Sequence, residues 1–146
     1  MRVMVIVKAS PQSEQGTKPP VEALKAMSAF NEELLAAGVM LAAEGLRPSS
    51  QGALVKCTKG NYVVTDGPFA ETKELIAGFW IWKVESMAEA IEWLKKSPFD
   101  GGVELELRTV GEVDDFGDAA TPEFREKHAN MRRQLAKNQM TLAEKK

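Results

Sequence analysis

Ten residues, Leu75 to Val84, restrict the fold of this chain more than any other stretch. Read as a strand, they set Phe79 and Ile81 on one side and Trp80 and Trp82 on the other, so both faces call for cover. Arg2 to Lys8 has the same character, with Val3, Val5 and Val7 alternating against Met4 and Ile6. A sheet built on two such strands cannot leave either face bare without exposing a large apolar patch.

Few helices are available to cover it. Val21 to Ala37 places Ala23, Met27, Phe30, Leu34 and Ala37 on one stripe, and Gly38 is positioned to end it. Ser86-Met87-Ala88-Glu89 is a capping-box signature. The helix it opens carries Met87, Ala90, Ile91 and Leu94 on one face and stops before Pro98. Val39–Ala43 reads as a strand, Ala53–Cys57 and Asn61–Thr65 as a hairpin turned at Thr58-Lys59-Gly60, and Val103–Val110 as the last strand. Ser10 to Pro20, rich in Ser, Gln, Gly and Pro, reads as a flexible loop. This order predicts an α+β fold of the ferredoxin-like, split βαβ type. Two helices roof one sheet face only, so the economical solution is a two-fold homodimer in which the open faces meet. Trp80 and Trp82 would then pack in the dimer core, with stacking on a flat ligand as the other use for them.

Residues 1–111 form the α+β domain in this reading, 112–120 an acidic linker, and 121–146 a C-terminal helix with a basic tail. Thr121 caps that helix and Pro122 occupies its first position. Phe124, His128, Met131 and Leu135 make its apolar stripe.

Bulk properties exclude more than they assign. With 146 residues and a net charge of −2, the chain has no global positive field to draw it to nucleic acid or an anionic membrane. The single Cys57 rules out an internal disulfide and a multi-cysteine zinc site, and reads as a small hydrophobe. Neither a signal-peptide cleavage region nor an apolar run near ~18 residues is present, so a cytoplasmic protein is expected. No cofactor or metal is expected either: one histidine, and no acidic cluster at ligand spacing, leave nothing to hold one.

One stretch is specific enough to suggest a family. Thr65-Asp66-Gly67-Pro68-Phe69-Ala70-Glu71-Thr72-Lys73-Glu74, with Gly78-Phe79-Trp80 and Glu89-Ala90-Ile91-Glu92-Trp93 after it, resembles the DGPF-domain branch of the YCII-related family. The resemblance continues through Asn31-Glu32-Glu33-Leu34, Glu44-Gly45-Leu46 and Asp114-Asp115-Phe116-Gly117. It implies a ferredoxin-like fold dimerised as an α+β barrel, in a superfamily that includes small-molecule enzymes. It also implies a link to extracytoplasmic-function sigma factors, hence an accessory or interaction role as the rival to small-molecule binding. YCII relatives are proposed to use an Asp with a His in a pocket. Asp66 matches that Asp, while the one histidine, His128, lies outside the family's motifs.

Asp66 is therefore the candidate acid or base, in a pocket near its bend, although Asp before Gly is also a common turn-former. Glu71 and Lys73 point the same way if extended, either gripping a ligand or pairing with each other. Glu44, closing an apolar strand, is the third candidate ligand residue. Asn31 and Glu33 fall off the helix stripe and read as surface. Phe69 reads as a core plug. The stripe on the C-terminal helix would dock a protein partner in the rival reading.

Overall fold

A computed structural model describes residues 1–70 and 74–144, with side chains of the last helix described as far as residue 138. Its elements are β1 (Arg2–Lys8), α1 (Pro11–Glu14), α2 (Val21–Ala36), β2 (Met40–Gly45), β3 (Ala53–Thr58), β4 (Asn61–Asp66), β5 (Ile76–Lys83), α3 (Met87–Leu94), β6 (Leu105–Thr109) and α4 (Pro122–Glu144). Short 3-10 turns span Ser49–Gln51 and Val113–Ala119. Residues Met1–Val110 form one compact unit and Gly111–Lys146 another.

In the first unit, β2-β5-β1-β6 make a four-stranded antiparallel sheet, and β3–β4 a separate two-stranded one. With α2 after β1 and α3 after β5, this is the ferredoxin-like split βαβ arrangement of an α+β protein. Strand register explains which side is covered. Val3 pairs with Trp82 and Val5 with Trp80, so the valines and tryptophans share a face. Phe30 and Leu34 of α2 and Ala90 of α3 close over it. Trp82, Leu34, Val3 and Val5 are fully buried there, each contributing roughly 1.5–3 kcal/mol.

That packing corrects the place assigned to the tryptophans. They lie in the core of the single chain, because the helices chose the valine face and the tryptophans share its parity. The face left open carries Met4, Ile6, Phe79 and Ile81, all half-buried, with Met4 opposite Ile81 and Ile6 opposite Phe79.

Two segments read as irregular have local order instead. Ser10 begins a helical turn, its hydroxyl accepting from Ser13 N–H at 3.1 Å while Ser13 Oγ accepts from Ser10 N–H at 2.9 Å. Glu112 and Asp115 form a comparable capping box at the 3-10 turn of the second unit. Beyond it, the Thr121 hydroxyl accepts from Phe124 N–H at 3.2 Å and starts α4. Phe116, Phe124 and His128 follow one another ring to ring at 5.9 and 6.2 Å. At α3 the cap is the one the sequence indicates: Ser86 accepts from Glu89 N–H at 3.1 Å, and the Glu89 carboxylate accepts from Glu85 N–H at 2.7 Å. Cys57 is exposed on the hairpin, so it packs in no core.

Candidate functional site

A cleft beside α2 comes from missing side chains. On the helix-facing side of the sheet, Val7, Gly78 and Gly45 stand side by side, so two of the three positions have nothing to fill the space below α2. A cleft of about 480 Å³ opens there. Ala23, Leu24, Met27 and Asn31 of α2 form one wall, and Ala43, Phe79, Trp80 and Phe99 supply most of the rest. Trp80 and Phe99 meet edge to face, with ring centroids 6.1 Å apart.

The two glycines are not equivalent. A Cβ on Gly78 would sit 2.7 Å from the Glu44 carbonyl oxygen, so β2 can approach β5 here only because Gly78 has none. A Cβ on Gly45 would meet nothing within 4 Å and would project into free space.

One polar side chain reaches the cleft. Asn31 Oδ1 accepts from Trp80 Nε1 at 3.0 Å, which satisfies a nearly buried indole N–H. The Asn31 amide nitrogen then has no protein partner among the described residues. Glu44, at the end of β2, is the one ionisable residue among the lining residues; it is exposed, and its place opposite Phe79 puts its side chain on the open face of the sheet, so its backbone is what lines the cleft. Asn31, read as surface, is half-buried in the wall. The signal for it was Met27, four residues earlier on the same helical ridge, together with a tryptophan needing an acceptor.

Asp66 stands elsewhere. It is exposed at the end of β4, opposite Ala53, and does not line this cleft. Glu71 and Lys73 lie outside the described residues. The bend after Asp66 is an anchor built from backbone. Gly67 N–H donates to Gly52 C=O at 3.0 Å, and Phe69 N–H donates to Ser49 Oγ at 3.2 Å. The Ser49 hydroxyl in turn donates to Glu14 at 2.5 Å, and the Glu14 carboxylate also accepts from Ser49 N–H at 3.2 Å. Phe69 is half-buried and lines a smaller recess of about 300 Å³ beside this anchor, together with Glu14, Ser49 and Leu75. Asp66 does not line that recess either. His128 belongs to the other compact unit. Among the described residues no group of His, Cys, Asp and Glu is placed to hold a metal ion. Among them, too, no helix is long and apolar enough to cross a membrane.

Fold and cleft together define an α+β protein of ferredoxin-like topology with an open, mostly apolar cavity between its first long helix and its sheet. The chain belongs to the YCII-related domain family, whose pattern matches residues 1–114. An uncharacterized protein of Rhizobium meliloti (strain 1021), R00369, is 32% identical to it over 72 residues, which are 49% of this chain and 58% of that one. A 5-chloro-2-hydroxyhydroquinone dehydrochlorinase (TftG) from Burkholderia phenoliruptrix AC1100, solved with 2,5-dihydroxybenzoquinone, shares 18% identity. That alignment covers 76% of this chain and 96% of the dehydrochlorinase at a TM-score of 0.37, a likeness too loose to carry an argument about the site.

Proposed function

We propose that this chain is a cytoplasmic homodimer that binds a small molecule in the cleft under α2. The carrying observation is the bare row at Gly45 and Gly78, which leaves a cavity of about 480 Å³, inside the usual ~300–1,000 Å³ range for ligand sites. Its walls suit a flat apolar body, which Trp80 and Phe99 would contact with their rings. The free Asn31 amide N–H groups would donate to a ligand oxygen, and Glu44, on the other face of the edge strand β2, would receive a hydrogen-bond donor or cationic group of a ligand that reaches round that edge. No basic group stands among the lining residues, which disfavours anionic ligands.

For acid–base chemistry, Glu44 is the carboxylate at the edge of the cleft, whereas Asp66 lines neither of the two cavities described above. The accessory-protein reading has its own support: Phe124, Met131 and Leu135 of α4 are exposed, at 40%, 55% and 54%. Titration with N-phenyl-1-naphthylamine, a flat apolar amine whose emission rises on burial, separates the two. Saturable binding is expected in the wild type and its loss in Gly45→Val, whose side chain would fill the bare row. Unchanged affinity in Gly45→Val overturns the cleft reading and leaves the α4 surface as the functional one.

A further inference from the structure

We infer that the β3–β4 hairpin is an arm whose apolar face docks on a second copy of this chain; the inference rests on the homodimer proposed above and names what holds it together. Strand register sorts the hairpin into two unlike faces. Val55 pairs with Val64, Cys57 with Tyr62 and Ala53 with Asp66, which puts these six on one side, apolar but for Asp66 at the root. The other side holds Leu54, Lys56, Thr58, Asn61, Val63 and Thr65 and is mostly polar. Such a pattern belongs to a sheet with one covered face. Yet Val55, Tyr62 and Val64 are 60%, 68% and 62% exposed, so this chain does not cover them.

An isolated two-stranded hairpin is marginal in water, and its open edges invite pairing. Here the root is held firmly, by Gly67 against Gly52 and by Phe69 against the Ser49–Glu14 pair. A fixed root with a bare apolar arm is a device for reaching another surface.

Area identifies that surface as a twin. A standard interface takes about 800 Å² from each partner, of which roughly 450 Å² is apolar. On the open sheet face Met4, Ile6, Phe79 and Ile81 are already half-buried and can offer at most ~180 Å². The exposed side chains of the hairpin's apolar face, Ala53, Val55, Cys57, Tyr62 and Val64, add roughly 300 Å². Sheet faces alone fall well short of a stable dimer, and the same faces with two arms reach it. A two-fold axis uses each arm twice, which suits a self-complementary contact.

The test changes one hairpin face at a time. Val55→Lys with Val64→Glu places an opposite-charge pair across the strands, which is compatible with the hairpin but not with a dry interface. Lys56→Glu with Val63→Lys puts the same load on the other face. By light scattering at micromolar concentration, the wild type and the Lys56/Val63 variant should show twice the 16.0 kDa chain mass, and the Val55/Val64 variant the single mass. Cys57, the one cysteine, reports independently: maleimide should label it slowly in the wild type and at the rate of a free thiol in the Val55/Val64 variant. Should that variant lose its circular dichroism, Tyr62→Ser, which adds no charge, is read in the same way. A dimeric Val55/Val64 or Tyr62 variant with a protected Cys57 overturns the arm and leaves a sheet-face dimer standing. A monomeric wild type with a freely reactive Cys57 overturns arm and dimer together, and leaves the naphthylamine titration of the cleft untouched.

Discussion

Gly67→Ala should cost this protein about 3 kcal/mol, although the added group is one methyl on a half-buried bend. A Cβ there would lie 1.8 Å from the Ser49 carbonyl oxygen and 2.6 Å from its carbon. Both are backbone atoms, so no rotamer change relieves the overlap and the two segments must separate. Overpacking of this kind costs typically ~1–3 kcal/mol. Separation also strains the Gly67–Gly52 and Phe69–Ser49 hydrogen bonds, each worth about 1 kcal/mol. With a urea dependence of ~2 kcal/mol per molar, the unfolding midpoint should fall by about 1.5 M at unchanged slope. Two controls bracket the result. Gly45→Ala meets nothing within 4 Å and should be neutral or stabilising by up to ~1 kcal/mol. Asp66→Asn, at an exposed position, should stay within ~0.5 kcal/mol of wild type. If Gly67→Ala unfolds at the wild-type midpoint while Asp66→Asn does not, the bend is held by its carboxylate and the close fit of Gly67 to Ser49 is not what matters.

Two further outcomes follow from the same geometry. Asn31→Ala removes the acceptor for Trp80 Nε1, at a tryptophan only 6% exposed, and should cost ~1–3 kcal/mol with a change in near-ultraviolet circular dichroism; no change in either would show that the indole N–H finds another partner. On the open sheet face, the hydrogen bond from Lys8, 2.6 Å away, holds the Glu106 carboxyl below its ordinary value of 4.5, with the charges of Lys8 and Arg108 adding to it. A depressed carboxyl stabilises the fold above its unfolded value and loses that contribution as pH falls through the folded one. Wild type should therefore lose stability more steeply than Glu106→Gln below pH 4.5 and run parallel to it above. Added salt should shrink the difference, since the pair is at the surface. Equal slopes in acid would show that the pair is not coupled to folding.

Much of the fold could be read from the sequence because periodicity and capping carry it. The stripe from Ala23 to Leu34 and the Ser86–Glu89 box fix the two covering helices, and the apolar runs fix the sheet strands. What periodicity could not settle was which side of a two-faced strand meets the helices. Phe79/Ile81 and Trp80/Trp82 are equally apolar, and only the pairing of Val3 with Trp82 and Val5 with Trp80 decides it. Asp66 drew notice because its motif is distinctive, while the cleft drew none because its defining residues lack side chains. Asn31 was hidden for a related reason: its role depends on a tryptophan 49 positions along the chain.

A sharp motif and a cavity are written into a sequence by different physics. A backbone-to-backbone contact such as Gly67 on Ser49 tolerates one residue type, so it writes a sharp motif whatever the protein does. A cavity floor asks only that something be absent. Gly78 is held to glycine by the Glu44 carbonyl 2.7 Å from its would-be Cβ, but Gly45, with nothing within 4 Å, is under no such constraint. Position 45 can therefore grow a side chain without disturbing the sheet, and each added methyl takes volume directly from the cleft. On this reasoning the residue that sets what the cleft admits is the least conspicuous one in it.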